Sequence, residues 1–118
     1  VSLCGDNLGF YSGNDDQIIP LMSLGSLGVL SVLGNIMPRA PHDLCQLFFD
    51  GKPGEAAKLQ AELIPVVVAM FWDVHPTPVK EALNLMGWKA GPCRLPLIEL
   101  SEAARESLKA ELARRKLV

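Results

Sequence analysis

The sequence of 118 residues has little that would suit a charged or membrane-bound partner. Its formal net charge is -2, so no excess of basic residues is available to bind nucleic acid or anionic lipid. A single basic cluster, Arg114 to Lys116, falls where a helix is predicted to end, and cations there complement the helix dipole. The longest apolar run, Leu63 to Trp72, is too short to span a bilayer and contains Pro65.

Cysteines are also few. They are Cys4, Cys45 and Cys93. Because their number is odd and no CxxC pair occurs, we expect reduced thiols in a cytoplasmic protein. Neither His42 nor His75 has neighbours at metal-ligand spacing, so no metal site is expected. The sequence starts at Val1 without an initiator methionine or the basic start of a signal peptide, and we expect a piece of a longer polypeptide.

The composition itself is 49% hydrophobic and 20% charged, which is typical of a single globular domain. Two short strands are predicted, at Leu8 to Ser12 and at Gly28 to Leu33, with a helix between them from about Asp16 to Leu24. Pro20 is predicted to kink that helix because it removes a backbone donor. The second strand is apolar without alternation, so both its faces should be buried, as in the parallel sheet of a βαβ unit.

The rest of the sequence predicts helices. The predicted spans are Pro41 to Asp50, a helix from Pro53 through Phe71 that Pro65 should bend, Pro78 to Met86, and a helix capped by Ser101 that ends near Arg115; Val1 to Cys4 should end a further helix before Gly5. Two parallel strands alone make a poor sheet because both edges stay open. The predicted fold class is therefore α/β, and the pattern indicates the tail of a larger α/β protein.

Two stretches carry a resemblance to a known family: YSGNDD, from Tyr11 to Asp16, and GSLGVLSVLGNIMP, from Gly25 to Pro38. They resemble the C-terminal part of the 4-hydroxy-tetrahydrodipicolinate synthases, also called dihydrodipicolinate synthases. These enzymes belong to the pyruvate-dependent class I aldolase superfamily, together with N-acetylneuraminate lyase. The resemblance continues through GKPGEAAKLQAELIPV, HPTPVKEALNLMG and CRLPLIELSEAARESLKAEL, and so covers essentially the whole sequence.

This resemblance implies a TIM (β/α)8 barrel followed by a C-terminal bundle of three helices. Residues 1–40 would hold the seventh and eighth barrel strands with their intervening helix, which is the closing quarter of the barrel. Residues 41–118 would hold the last barrel helix and the three-helix extension. A full barrel takes about 250 residues, so most of it would lie outside this sequence, which would be mostly helical as a fragment.

The resemblance also implies a lyase of lysine (diaminopimelate) biosynthesis, which condenses pyruvate with aspartate semialdehyde through a Schiff base on a lysine. That lysine and the catalytic tyrosine correspond to family positions upstream of Val1. None of the six lysines present lies on a predicted strand, and Tyr11, the only tyrosine, is assigned to packing. We therefore expect no catalytic residue and no cofactor in this sequence, which alone is predicted to be inactive.

What the resemblance assigns to this sequence is a wall of the substrate pocket. Leu30 matches the eighth-strand position whose backbone contacts bound pyruvate. Gly13 lies at the exit of the seventh strand, where a glycine lets backbone approach a ligand closely. Asn14 or Asp15 should instead cap the following helix.

The same resemblance implies partners. They are the remainder of the barrel, the substrates pyruvate and aspartate semialdehyde, and further copies of the chain in a homotetramer. The residues matched to contacts between subunits are Pro20, Ser23 and Leu24. No nucleic acid and no membrane are expected.

Two alternatives stay open. A non-catalytic, truncated chain would fold as a helical bundle with a βαβ appendage and would self-associate to cover its apolar strands. A segment of an N-acetylneuraminate lyase-like or sugar-acid aldolase would keep the imine chemistry but change the aldehyde substrate. Co-purification of an N-terminal polypeptide would separate the first alternative, and the residues upstream would separate the second.

Overall fold

A computed structural model describes residues 3–118, and five α-helices are present among them. They are α1 (Ile18–Ser23), α2 (Arg39–Phe49), α3 (Pro53–Ala69), α4 (Thr77–Leu85) and α5 (Glu102–Arg114). Short 3-10 turns lie at Gly5–Asn7, Asp15–Gln17 and Leu33–Asn35. The chain divides into two compact units, Val1–Ile64 and Pro65–Val118, and the division falls within α3. The predicted boundary at residue 40 separates the end of the barrel from the C-terminal helices, whereas these units are defined by compactness alone. That boundary stays a prediction.

The four longer helices begin and end close to their predicted positions. The predicted cap of α5 is present, because the Ser101 hydroxyl oxygen accepts the Ala104 N–H at 3.3 Å. α1 is shorter than predicted, since the 3-10 turn Asp15–Gln17 takes its first residues. Pro20 lies in the first turn of α1, where a helix has no intrahelical N–H bond to lose, so the reason for the predicted kink does not apply.

The predicted helix end at Val1 to Cys4 lies partly outside the described residues, because the description begins at Leu3. Gly5 follows it with φ +51°, in the left-handed region that favours glycine, and opens a 3-10 turn.

The two predicted strands are reduced to one parallel bridge, between Ser12 and Val29. The Ser12 N–H donates to the Gly28 carbonyl at 2.8 Å, and the Leu30 N–H donates to the Ser12 carbonyl at 2.8 Å. The parallel direction agrees with the prediction. Residues 3–118 nevertheless contain no longer strand, because neither segment has a second neighbour there to extend the ladder. Burial of both faces was a wrong expectation for this chain, since Leu30 is 74% exposed.

The core of the first unit lies where α1 packs against α2 and where α2 contacts the turn Leu33–Asn35. Its buried apolar side chains are Ile18, Met22, Leu33, Ile36, Leu44, Ala56 and Leu63. Full burial of one large aliphatic side chain contributes about 1.5–3 kcal/mol, whereas one hydrogen bond contributes about 1 kcal/mol net. Apolar packing therefore sets the stability of this unit, and its polar contacts set the positions of the turns.

In the second unit α4 packs against α5. The buried apolar side chains are Val66, Val67, Ala69, Met70, Val79, Ala82, Leu108 and Leu112. An ion pair joins the two helices at the surface, with Arg105 Nε 2.7 Å from Glu81 Oε1. The hydrogen bond and the charge of Glu81 raise the pKa of Arg105 above its ordinary value. Ion pairs open to water contribute little to stability, so packing holds α5 in place.

Three further features concern the cysteines, membrane-spanning helices and metal-binding side chains. Cys4, Cys45 and Cys93 are free thiols, and burial raises the pKa of the Cys45 thiol. Among residues 3–118, no helix is both long and apolar enough to cross a membrane. The same part of the chain contains no group of three histidine, cysteine or acidic side chains that could hold a metal ion.

Candidate functional site

The two residues predicted to line a pocket lie next to each other in the first unit. The Leu30 N–H donates to the carbonyl of Ser12, the residue immediately before Gly13. Both Gly13 and Leu30 are exposed, and a Cβ added at Gly13 would meet no described atom within 4 Å. Both residues therefore lie on the surface of the first unit. Their contact with substrate stays a prediction.

The turn that carries Gly13 is held by Ser12. The Ser12 side chain is buried, and its hydroxyl donates to the Asn14 carbonyl at 2.8 Å. The same oxygen accepts the Asn14 N–H at 3.1 Å. Asn14 occupies the capping position of the turn Asp15–Gln17, but its side chain makes no capping hydrogen bond there. Ser12 thus keeps the turn closed while Gly13 stays exposed.

Asp15 has a contact set that the sequence did not predict. Its side chain is only 1% exposed, and Oδ2 accepts the N–H groups of Val32 at 2.9 Å and Leu33 at 3.0 Å. The Ser31 hydroxyl donates to Oδ1. Asp15 therefore caps the 3-10 turn that begins at Leu33, which follows the segment that pairs with Ser12. The prediction that it caps its own following helix was wrong.

Gln60, on α3, fixes the backbone of the same residue. Its Nε2 donates to the Asp15 carbonyl at 2.8 Å, and its Oε1 accepts the Ile19 N–H at 3.3 Å. The residue is 8% exposed, so both ends of its amide are largely out of water. A buried polar group left unpaired costs about 1–3 kcal/mol, which makes this arrangement expensive to disturb. No sequence signal marks Gln60, because its partner Asp15 lies 45 residues away in the sequence.

The three residues predicted to contact other subunits lie on α1 and just after it. Pro20, Ser23 and Leu24 are all exposed. The Ser23 hydroxyl donates to the Pro20 carbonyl at 2.6 Å, so its hydrogen bond is made locally. Leu24 is 66% exposed and offers the apolar surface. Contact with a second subunit stays a prediction.

The six lysines are exposed or half-buried. Lys52, Lys58, Lys89, Lys109 and Lys116 are exposed. Lys80 is half-buried, and its Nζ donates to the Pro92 carbonyl at 2.7 Å. That the Schiff-base lysine lies outside this chain stays a prediction. Tyr11 is 55% exposed and lies beside Gly28 rather than in a core.

Comparison with known proteins gives one consistent result. A family model described as the Dihydrodipicolinate synthetase family matches residues 1–115. The 4-hydroxy-tetrahydrodipicolinate synthase of Caldicellulosiruptor saccharolyticus is 49% identical over 110 residues, which are 93% of this chain and 37% of that protein. The synthase of Clostridium novyi is 46% identical over 111 residues, which are 94% of this chain and 38% of that protein.

Solved structures agree with these relatives. Dihydrodipicolinate synthase from Thermotoga maritima superposes with a TM-score of 0.92 at 35% identity, over 99% of this chain and 40% of that one. The chloride-inhibited enzyme from Acinetobacter baumannii, complexed with pyruvate, gives a TM-score of 0.91 at 32% identity, again over 99% and 40%. The chain thus spans about two fifths of the length of its relatives, and the matched portion is their C-terminal part. The chain belongs to the dihydrodipicolinate synthetase family.

Proposed function

We propose that residues 1–118 are the C-terminal segment of a 4-hydroxy-tetrahydrodipicolinate synthase, a lyase that condenses pyruvate with aspartate semialdehyde in lysine biosynthesis. The observation that carries this proposal is the parallel pairing of Ser12 with Val29. The residues that directly follow this pair, Gly13 and Leu30, are exposed. Active sites of (β/α)8 barrels lie at the carboxyl ends of their strands. Membership of the family and the pyruvate complex of the A. baumannii relative support the same assignment.

In this proposal the segment helps to position pyruvate and transfers no proton. The Leu30 backbone contacts pyruvate, and Gly13 lets the neighbouring backbone approach it. The Schiff-base lysine and the catalytic tyrosine come from the remainder of the barrel. No cofactor takes part, since the lysine imine itself activates pyruvate. The protein acts in the cytoplasm as a homotetramer.

A second candidate has one observation in its favour. Leu8, Leu27 and Leu30 are 62%, 51% and 74% exposed, and all lie in or beside the paired segments. Apolar groups grouped in this way usually contact another surface. In the proposed enzyme the remaining barrel strands cover them. In the alternative, a non-catalytic chain covers them with a second copy of itself.

A chimera tests the enzymatic assignment. Residues 1–118 replace the matched C-terminal part of the C. saccharolyticus synthase, and condensation of pyruvate with aspartate semialdehyde is measured. We expect an active chimera that borohydride and pyruvate modify on a lysine outside residues 1–118, because the segment restores the pocket wall. The parent enzyme without its C-terminal part is the control and should be inactive. A folded chimera that traps no pyruvate would contradict the proposal.

The subunit contact is tested at Leu24. Leu24→Glu places a charge on the exposed apolar surface at the end of α1, and burying an unpaired charge in an interface is costly. We expect the full enzyme to lose its tetramer and run at the mass of a dimer or monomer in analytical ultracentrifugation. The matched control is Leu95→Glu, at a leucine that is 86% exposed in the second unit. A tetramer that persists in Leu24→Glu would remove Leu24 from the interface.

A further inference from the structure

Three separate parts of the first unit meet at Asp15. The residue follows the Gly13 turn directly. Its carboxylate binds the segment after Leu30, and its carbonyl is bound by Gln60 from α3. The donors on the second segment begin at Ser31, immediately after Leu30. Both predicted pocket residues are thus within two residues of this buried junction.

The chemistry of the junction suits a fixed position. One carboxylate accepts two backbone N–H groups and one hydroxyl, and such charge-assisted bonds are shorter and stronger than neutral ones. The Ser31 oxygen is fixed in turn, because it accepts the Gly34 N–H at 2.8 Å. Among the described residues, no buried side-chain nitrogen or oxygen lacks a partner. The junction therefore allows little movement of either turn.

We infer that Asp15 is a positioning residue of the pyruvate pocket, with Gln60 as the group that orients it. This inference rests on the proposed function. Asp15 does not touch substrate; it sets the distance between the Gly13 turn and the Leu30 backbone. Displacement of catalytic or binding groups by about 1 Å can cost up to about a hundredfold in rate. Loss of these hydrogen bonds should therefore weaken the binding of pyruvate and leave the binding of the aldehyde substrate nearly unchanged.

The test uses the full enzyme that contains residues 1–118. Asp15→Ala removes all three acceptor contacts, whereas Asp15→Asn keeps one oxygen for the Val32 and Leu33 N–H groups. We expect KM for pyruvate to rise about tenfold or more in Asp15→Ala, with most of the loss restored in Asp15→Asn. KM for aspartate semialdehyde should stay within about twofold. The control is Asp16→Ala, at the exposed neighbouring aspartate, with no change in either KM.

The outcomes separate the inference from the proposed function. If the wild type forms no borohydride-trapped pyruvate adduct, the proposed function fails and the inference fails with it. If the wild type is active but Asp15→Ala only melts earlier, with KM for pyruvate as in Asp16→Ala, the inference alone is overturned. If Asp15→Ala does not fold, Ser31→Ala decides, because it leaves the carboxylate in place and removes the hydroxyl that donates to Oδ1 and accepts the Gly34 N–H. An unchanged KM for pyruvate in Ser31→Ala would then overturn the inference.

Discussion

Replacing Leu108 with alanine is expected to lower the free energy of unfolding by about 2–5 kcal/mol. The Leu108 side chain on α5 is 0% exposed, within the core of the second unit. Truncation removes buried methyl and methylene groups and leaves a cavity, and the two costs add. Alanine is also the best helix former, so no loss of helix propensity enlarges the effect. The loss of unfolding free energy would therefore come from lost packing.

The neighbouring residue provides the control. Lys109→Ala changes an exposed side chain on the same helix, so its effect should stay within about 0.5 kcal/mol. Urea unfolding followed by tryptophan fluorescence is a suitable measurement, because Trp72 and Trp88 both belong to the second unit. Equal changes in the free energy of unfolding for the two variants would mean that α5 does not bury Leu108.

Gly28→Ala is expected to cost about 1–3 kcal/mol and to break the parallel bridge. Gly28 has φ +149°, a conformation that residues with a Cβ rarely adopt. Hydrogen bonds hold it there, since its carbonyl accepts the Ser12 N–H at 2.8 Å and the Ser26 hydroxyl at 3.0 Å. Space is not the obstacle, because the added Cβ would lie 3.5 Å from Tyr11, an ordinary contact. The backbone angle alone produces the cost.

A second glycine serves as the control, because it shows what replacing a glycine costs where φ is not positive. Gly54 lies in the first turn of α3, and a Cβ there would meet no described atom within 4 Å. Gly54→Ala should therefore stabilise the protein by about 0.4–1 kcal/mol, because alanine reduces the freedom of the unfolded chain. Thermal unfolding of both variants tests the pair. A melting temperature that falls equally in both would contradict the argument from φ.

Much of the helical structure follows from the sequence by itself. The starts and ends of α2 to α5 were predicted to within a few residues from prolines, glycines and apolar spacing. The Ser101 cap is one such case, since its bond to Ala104 spans three residues. The family was also predicted from the sequence, on the stretches around Gly13 and Leu30.

Only the tertiary structure decided the arrangement around Asp15. An aspartate just before a helix is predicted to cap that helix, and the sequence pattern offers no other partner. The tertiary structure brings Val32 and Leu33 to its carboxylate instead, and Gln60 to its carbonyl. The same holds for the predicted strands, because a ladder lengthens only where neighbouring strands are present. Helix spacing and caps act over a few residues and are therefore readable from the sequence, whereas hydrogen bonds between distant segments depend on which segments the fold brings together.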